Sequence, residues 1–423
     1  MKYLERVVRA TDRISSPFLD SALKFVSYRK KLDSLIQRIE DKSIKKLNSI
    51  NKFLIIPDIN IGDALNFQSF IAVLKKHLPA SEIHYIYKKK AYPLIKANPY
   101  VDVHYPLFKH SGIPSLEDID VLKKVMIKNN YDLIFNFCPY LSFSALRYRK
   151  GTVIHPIRLI SSVIRACSSS NQTAHITFQL NQFGNQLAYR IKASMNHENR
   201  KKNDFFKNQL YTYHDLYLRA QETSERLGIL SAKKTVILNP DASCPYTLIP
   251  VKFQVQILNA VLSMPSVDQV LMNRGRTYRK IEKDVLNQIP ENLKEKIILF
   301  PLDTPIDEYA ALTDKADVYI SADTGPMHIA ATEKLIMDSE QRFKNQTAII
   351  GIFGATPSKL YGYDSFSDDH IDSSQNAPAK AFEGHPPCKN ITCINKAFKK
   401  CSQIRCFEGI DVDEIIEYIR SLV

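Results

Sequence analysis

The chain has 423 residues, of which 44% are hydrophobic and 24% charged, a composition typical of folded proteins and not of disordered or fibrous ones. Lysine and arginine number 58 against 44 aspartates and glutamates, and this net charge of +14 favours an anionic partner: a phosphorylated substrate, an acidic membrane surface or a nucleic acid. The sequence lacks both a signal-peptide core after Met1 and an apolar run near the roughly 18 residues that cross a bilayer, so we expect a cytoplasmic protein whose seven cysteines are thiols or metal ligands.

Residues 1–50 predict a helical, basic extension. Its apolar residues recur at helical spacing on either side of Pro17, which is expected to break the pattern. Twelve basic and six acidic residues give the segment a charge of +6. Two interpretations stay open: a basic helix on anionic lipid headgroups, and a helical hairpin packed on its own domain, which the mixed charge favours.

Residues 51–228 alternate strand and helix signals and predict an N-terminal Rossmann-like domain with a parallel sheet. The predicted strands are 53–56, 82–87 and 131–136, and the predicted helices are 64–78 and 91–96. The polar stretch from 167 to 205 predicts an excursion or a lead into the next domain. A hinge is expected at 227–231.

The alternation restarts near Thr235 and predicts a second Rossmann-like domain over 229–410, followed by a C-terminal helix over 411–423. The strand signals are 236–239, 267–272, 297–300, 317–320 and 348–353, and the helix signals are 251–262 and 306–316. Two α/β halves imply a cleft between them, and ligands of such sheets bind beyond the carboxyl ends of the strands.

The most informative segment is Ser321–Ala331, where a strand signal gives way to a helix signal. Glycine is scarce, with 12 in 423 residues, so Gly325 at this junction indicates a backbone requirement. Such a junction directs free amide groups and the positive end of a helix toward one spot, which suits a phosphate. Asp323, Thr324 and His328 add a carboxylate, a hydroxyl and an imidazole. The plainer alternative is a cap, a turn and a histidine that is satisfied within the fold.

A second strand-to-helix junction, Pro57–Leu65, contains Asn60, Gly62 and Asp63. Gly62 lets a ligand approach the backbone, and the helix dipole keeps a carboxylate at position 63 ionised. An ionised carboxylate can take the proton of a bound hydroxyl, so Asp63 is a candidate general base. The alternative is an N-cap with a structural role only, filled by Asp63 or Asp58.

Several segments, in this order along the chain, resemble those of the bacterial heptosyltransferase family, glycosyltransferase family 9. They are Ile61-Gly62-Asp63, Asn98-Pro99-Tyr100-Val101-Asp102, Asn239-Pro240-Asp241-Ala242-Ser243, Asp323–Ala331 and Ile352-Phe353-Gly354-Ala355-Thr356. The resemblance spans about residues 51–420. Asp323–Ala331 is the most specific segment, and the order and spacing of the others agree with it.

The resemblance implies a GT-B fold, with two Rossmann-like domains facing across a cleft, and an inverting, metal-independent glycosyltransferase that needs no cofactor. It implies transfer of heptose from ADP-heptose to a lipopolysaccharide or lipooligosaccharide core acceptor. The positive charge of the chain fits an anionic, phosphorylated acceptor and peripheral contact at the cytoplasmic face of the inner membrane. The family's base falls on Asp63, with Asn60 and Gly62 in the acceptor-side loop. The donor's diphosphate and sugar fall on Ser243, Asp323, Thr324, Gly325 and His328.

The sequence departs from the family pattern at two places. A lysine expected after the Ala-Ser step is replaced by Thr247, and a carboxylate that often contacts the nucleoside is absent from Asn273–Arg279. We hypothesise that Arg274 or Arg276 pairs with the donor phosphates, since a guanidinium suits phosphate oxygens. The alternatives are a changed donor or a family member that has lost catalysis.

Two patterns could be taken for metal sites. Four cysteines within 19 residues, at Cys388, Cys393, Cys401 and Cys406, could hold tetrahedral zinc, although their spacing is looser than paired C-x-x-C motifs. We favour thiols without a metal and keep zinc as the alternative. Asp118-Ile119-Asp120 mimics the D-x-D of metal-dependent glycosyltransferases, but Ser115 precedes it, so we interpret these carboxylates as the first turn of a helix.

Three rival functions remain open from the sequence. One is a family member that uses another sugar nucleotide, which the departures favour. Another is a catalytically degenerate protein that binds nucleotide or glycolipid. A nucleic-acid binder rests on charge alone, without a recognisable nucleic-acid module in the sequence, so we expect no nucleic-acid partner.

Overall fold

The structure is a computed structural model, and most of the chain from Ile50 onward is described. The described residues are 50–57, 61–108, 115–137, 152–154, 175–194, 206–229, 233–242, 245–273, 279–336, 342–343, 347–363, 378–385 and 404–423. The predicted helical extension therefore lies outside the described residues, apart from Ile50. The described residues group into two compact units, the first from 50–92, 98–154 and 177–206 and the second from 93–97, 175–176 and 207–423.

Strands and helices alternate over residues 50–206. The strands are β1 (Lys52–Ile56), β2 (Glu82–Lys88), β3 (Val103–Phe108), β4 (Leu133–Asn136) and β5 (Thr152–Ile154). The helices are α1 (Ile61–His77), α2 (Tyr92–Ile95), α3 (Leu116–Asn129) and α4 (Ile176–Ser194). Within the described residues, the five strands form a parallel sheet in the order β3-β2-β1-β4-β5.

The sheet of the first unit is packed mainly by apolar side chains on both faces. In β1 the residues Phe53–Ile56 are all buried, as expected for a parallel strand covered on both sides. Aromatic rings fill one face, where Phe70 of α1 lies 5.6 Å from the Phe135 ring and 5.7 Å from the Phe183 ring. Gly184 of α4 allows this packing, because a Cβ there would lie 3.0 Å from Val73 and 3.1 Å from Phe70.

Helix α4 occupies the polar stretch for which the sequence predicted an excursion or a lead into the next domain. Its asparagines are buried and serve as hydrogen-bonding groups. Asn181 Nδ2 donates to the carbonyls of Thr177 and Phe206 at 2.8 and 2.9 Å, and its Oδ1 accepts from Phe206 N at 2.8 Å. The asparagines at these positions are therefore polar because they form internal hydrogen bonds, and not because they are exposed to solvent.

The second unit repeats the alternation. Its strands are β6 (Gln209–Thr212), β7 (Thr235–Asn239), β8 (Gln269–Met272), β9 (Ile297–Leu299), β10 (Val318–Ala322), β11 (Glu333–Ile336), β12 (Arg342–Phe343), β13 (Ala348–Phe353) and β14 (Ala379–Glu383). Its helices are α5 (His214–Arg226), α6 (Val251–Leu262), α7 (Arg279–Leu286), α8 (Glu291–Lys294), α9 (Ile306–Thr313), α10 (Gly325–Ala331), α11 (Ser358–Tyr361) and α12 (Val412–Leu422).

Two sheets organise the described part of the second unit. Six strands are parallel in the order β14-β13-β10-β7-β8-β9. A smaller sheet has the order β12-β11-β6, with β11 parallel to β6 and antiparallel to β12. The predicted α/β architecture with parallel sheets is thereby confirmed.

The predicted C-terminal helix is confirmed as α12, which begins at Val412 behind an Asp411 cap. Its buried Ile415 and Ile419 join the apolar core of the second unit, which includes Leu258 of α6. Helices of the described ranges fall short of the combined length and apolarity that a bilayer-spanning segment requires.

The D-x-D pattern begins a helix, as predicted. Ser115 caps α3 by accepting from Asp118 N at 3.1 Å, and the Asp118 carboxylate accepts from Ser115 N at 3.0 Å. This reciprocal pair is a capping box. The Asp118 carboxylate thus satisfies the backbone N–H of Ser115 at the helix end.

A buried ion pair ties the small sheet of the second unit to α9. Lys334 of β11 is 1% exposed in its side chain, and its Nζ lies 2.7 Å from Oδ1 of Asp314, whose side chain is 6% exposed. Burial raises the pKa of Asp314, and the Lys334 charge opposes that effect. The Tyr217 hydroxyl on α5 donates to the same carboxylate at 3.4 Å. Each charge depends on the other for compensation.

We predict that Lys334→Met lowers the free energy of unfolding by about 3–5 kcal/mol, because it leaves Asp314 buried without its counter-charge. The double variant Lys334→Met/Asp314→Leu should recover most of that loss. Urea unfolding of the full chain measures both effects. Lys234→Met is the matched control: it removes a 2.8 Å pair with Asp317 whose lysine is 49% exposed, and should cost less than about 1 kcal/mol. Equal losses for the two single variants would contradict the burial of the Lys334 pair.

His175 is fully buried directly before α4, with its ring 5.1 Å from the Tyr363 ring. Burial is the main cause that lowers the pKa of His175 to about 3. Its imidazole is therefore neutral in the native protein at pH values where an exposed histidine is already charged, since the ordinary histidine pKa is about 6.5.

We predict that this histidine makes the protein less stable as the pH falls. Below about pH 6.5 the unfolded chain binds a proton at position 175 that the native chain excludes, so stability decreases on acidification until about pH 3. Between pH 8 and pH 5 the loss from this group is roughly 2 kcal/mol. His175→Gln should reduce the pH dependence of the unfolding free energy by that amount. An unchanged dependence, or an NMR titration of the His175 ring near pH 6.5 in the unmodified chain, would contradict the burial.

Candidate functional site

The order in which strands are added to the larger sheet of the second unit reverses between β7 and β10. From β7 the chain builds β8 and β9 on one side, then returns to place β10, β13 and β14 on the other. Ligands of open parallel sheets bind beyond the carboxyl ends of the strands at such a reversal. β7 ends at Asn239, β10 ends at Ala322, and the predicted donor residues 323–328 follow directly.

A buried hydrogen-bond network closes this corner. The Asn239 amide donates to Ser321 Oγ at 2.9 Å and to Thr324 Oγ1 at 3.2 Å, and the two hydroxyls lie 3.1 Å apart. All three side chains are buried. The network fixes the loop from β10 to α10 against the end of β7.

The network continues to β8 and α9. The amide of Asn273 donates to Asn239 Oδ1 at 2.9 Å and to the Tyr309 hydroxyl at 2.8 Å. The Tyr309 hydroxyl lies 2.5 Å from that of Tyr319. Burial raises the pKa of Tyr309 to about 12, so this phenol is neutral and serves as a hydrogen-bonding group. The sequence did not single out this network; the available signal was a polar residue ending each of two apolar strands.

His328 of α10 has a partner at each ring nitrogen. Its Nε2 lies 3.3 Å from Asp323 Oδ1, and its Nδ1 lies 2.8 Å from the Tyr363 hydroxyl. The side chains of His328 and Asp323 are 6% and 13% exposed. Thr324 precedes the helix in extended conformation, with φ −146° and ψ 160°, and α10 begins at Gly325. The structure thus brings together four of the predicted donor residues.

Gly354, which belongs to one of the family-like segments, has a packing reason. It follows β13, and a Cβ there would lie 2.8 Å from the Tyr246 carbonyl oxygen and 2.8 Å from the Phe407 ring. Backbone cannot give way as a flexible side chain does. The glycine is therefore explained by the close approach of these two segments.

The sheet of the first unit has the same kind of reversal, between β1 and β4. α1 follows β1, and Asp63 lies half-buried in its first turn next to the buried Gly62. The Tyr85 hydroxyl donates to the Ala64 carbonyl at 2.9 Å and so attaches this turn to β2. Burial, with smaller contributions from Tyr87 and Asp63, raises the pKa of Tyr85.

Several predicted site residues lie outside the described residues. They are Asn60, Ser243, Arg274, Arg276, Cys388, Cys393 and Cys401. Cys406 is described and lies buried in the core of the second unit. Within the described ranges, three or more His, Cys, Asp or Glu side chains do not come together in a way that could hold a metal ion.

Comparison with known proteins identifies a domain in the second unit. Residues 268–396 match the family model of glycosyltransferase family 9 (heptosyltransferase), and this range includes the donor segment at the β10–α10 corner. No curated protein matches the chain.

Solved structures share the fold over most of the chain. The glycosyl transferase family 9 from Veillonella parvula DSM 2008 has a TM-score of 0.61 at 15% identity, covering 88% of this chain and 97% of that one. The E. coli ADP-heptose lps heptosyltransferase II has a TM-score of 0.52 at 12% identity, covering 88% and 98%. E. coli heptosyltransferase WaaC with ADP has a TM-score of 0.50 at 12% identity, covering 88% and 100%. The chain has the α/β fold of these GT-B glycosyltransferases, and its residues 268–396 carry a glycosyltransferase family 9 (heptosyltransferase) domain.

Proposed function

We propose that the protein is an inverting, metal-independent glycosyltransferase that moves a sugar, heptose in the simplest case, from a nucleotide-sugar donor to an anionic lipopolysaccharide or lipooligosaccharide core acceptor. One observation carries the proposal. The family 9 match includes residues 323–328, and these lie at the sheet reversal where open α/β sheets bind ligands. ADP-heptose is the donor we favour, and a heptosyltransferase with this fold is described with ADP.

The donor is proposed to lie at the carboxyl ends of β7 and β10. As the nucleoside diphosphate leaves, negative charge builds on its phosphate oxygens. Hydrogen-bond donors that are already in place stabilise this charge without reorganising. The amides of Thr324 and Gly325 are proposed to supply such donors, together with Ser243 and with Arg274 or Arg276. A carboxylate accepts hydrogen bonds and repels phosphate, so Asp323 is assigned to the sugar hydroxyls.

The acceptor is proposed to be activated by Asp63. A carboxylate in the first turn of α1 is favoured in its ionised form by the helix dipole and can take the proton of an acceptor hydroxyl. That oxygen then attacks the anomeric carbon from the face opposite the leaving diphosphate, and this inverts the configuration. Asn60 and Gly62 are proposed to lie on the acceptor side.

The charge of the chain supports an anionic acceptor at a membrane surface. A net charge of +14 attracts phosphorylated core sugars and acidic lipid headgroups. We therefore propose action in the cytoplasm, with peripheral contact at the inner membrane, and for residues 1–50 we retain both the lipid-bound helix and the packed hairpin.

A second candidate is a family member with another sugar nucleotide, or one that binds nucleotide or glycolipid without catalysis. Thr247 favours it, because the resemblance expects a phosphate-pairing lysine there. Transfer and donor-hydrolysis assays with ADP-, UDP- and GDP-sugars separate the two: turnover with ADP-heptose supports the first candidate, and turnover with another donor or binding without turnover supports the second.

We predict that Asp63→Asn lowers kcat by about 10²–10⁴-fold, the usual worth of a general base, and leaves ADP affinity within about twofold. Transfer kinetics and ADP titration calorimetry measure the two quantities. Asp120→Asn, an exposed change on α3 of the same unit, is the matched control and should alter neither.

If the Asp63→Asn variant turned over at the wild-type rate, Asp63 could not be the general base. An unmodified protein that binds none of the three nucleoside diphosphates and transfers from none of their sugars would overturn the proposed function as a whole.

A further inference from the structure

Three side chains of the second unit form a chain of contacts at the proposed donor site. Asp323 follows β10, His328 lies one turn into α10, and Tyr363 follows α11. The Tyr363 hydroxyl is 2.8 Å from His328 Nδ1, and His328 Nε2 is 3.3 Å from Asp323 Oδ1. The imidazole thus lies between a phenol and a carboxylate.

The chemistry of the two outer groups fixes the proton on the imidazole. A carboxylate only accepts hydrogen bonds, so the contact with Asp323 favours a proton on Nε2. In the neutral ring Nδ1 is then an acceptor, and the Tyr363 hydroxyl donates to it. Burial of the phenol, with a further contribution from the Asp323 charge, raises the pKa of Tyr363, so the hydroxyl keeps the proton that it donates.

Few titratable groups surround His328 within the described residues. The titratable groups placed against it within the described residues are Asp323, Tyr363, Tyr361 at a ring separation of 6.1 Å, and the buried His175. Burial lowers the pKa of His175 to about 3, so this second imidazole is neutral near pH 7. It therefore does not introduce a positive charge beside His328.

Of the two side chains His328 and Asp323, Asp323 is the more exposed to solvent. The His328 side chain is almost fully enclosed, whereas the Asp323 side chain retains more contact with solvent. Both nitrogens of His328 have partners, so the carboxylate is the group with capacity for a ligand. It also lies directly at the end of β10, at the sheet reversal.

We propose that Tyr363 is a positioning residue, which orients His328 and through it fixes the Asp323 carboxylate for the hydroxyls of the donor sugar. The inference rests on the proposed function. It adds Tyr363 to the site and separates recognition of the sugar from recognition of the nucleotide. Because a carboxylate accepts from hydroxyls and repels a diphosphate, Tyr363 governs recognition of the sugar and leaves recognition of the nucleotide unchanged.

The test is Tyr363→Phe, which removes the hydroxyl and keeps the ring. We expect kcat/KM for the nucleotide sugar to fall about tenfold, the worth of one positioning hydrogen bond, while ADP affinity stays within about twofold. The ring-nitrogen NMR shifts of His328 should change from a single Nε2–H tautomer to a mixture. A merely structural role would not produce that spectroscopic change.

Tyr131→Phe is the matched control. It removes a buried phenol hydroxyl that lies 2.7 Å from Nδ1 of another histidine, His84, on β2 of the first unit. The same kind of bond is lost in both variants. The control should keep kcat/KM, ADP affinity and the His328 signals of the unmodified protein, and thermal unfolding shows whether both variants are folded.

Three results would overturn the inference. Equal losses of ADP affinity and turnover would indicate a structural role, and unchanged His328 nitrogen shifts would show that Tyr363 does not orient the imidazole. An unmodified protein that binds ADP but discriminates no sugar donor would remove the role in sugar recognition. Failure of the proposed function looks different, because neither nucleotide nor nucleotide sugar would then bind, while the His328 signals would still respond to Tyr363→Phe.

Discussion

The candidate site depends on one buried side chain, Asn239, which bridges β7 and β10 where the sheet reverses. Its amide holds Ser321 and Thr324, and its carbonyl oxygen receives the amide of Asn273. Buried polar groups are tolerated when they are paired, and leaving one unpaired costs about 1–3 kcal/mol. The apolar strands around this corner therefore enclose a hydrogen-bonded polar cluster that sets the course of the β10–α10 loop. The positions of Asp323 and His328 follow from that loop.

The same topological device occurs in both units. Each parallel sheet reverses its strand order beside its first strand, at β1 and at β7 of the described chain, and each reversal is followed by a segment with chemically useful side chains. Asp63 lies at one and Asp323 with His328 at the other. Under the proposed function, one unit activates the acceptor and the other binds the donor. This division explains why the charged residues of interest cluster at strand ends, although the sheets themselves are mainly apolar.

Much of the fold follows from continuous apolar runs. Strands such as Ala348–Phe353 are buried along their whole length, so their sequences are apolar without interruption and their positions could be predicted. Elements that bury polar residues were missed. α4 contains Asn181 and Asn185 as internal hydrogen-bonding groups, and β11 follows α10 almost directly and contains the buried Lys334. Neither element has a continuous apolar run, and the buried polar residues are explained by tertiary partners that lie far away in the sequence.

The candidate site likewise contains residues that the sequence predicts and residues that it does not. Scarce glycines at strand-to-helix junctions indicate Asp63 and residues 323–328 from the sequence alone. Tyr363 and His175 carry no local signal, because Tyr363 lies 35 residues from His328 along the chain and meets it only through the fold. Gly354 shows the opposite case: a residue within a family-like segment is accounted for by backbone packing.

The central claim is that a nucleotide binds at the β7–β10 reversal. Hydrogen–deuterium exchange of the full chain with and without ADP tests it most directly. We predict that ADP slows exchange at the amides of 323–328 more than elsewhere in the second unit. Slowed exchange confined to other segments, with residues 323–328 unchanged at saturating ADP, would contradict it.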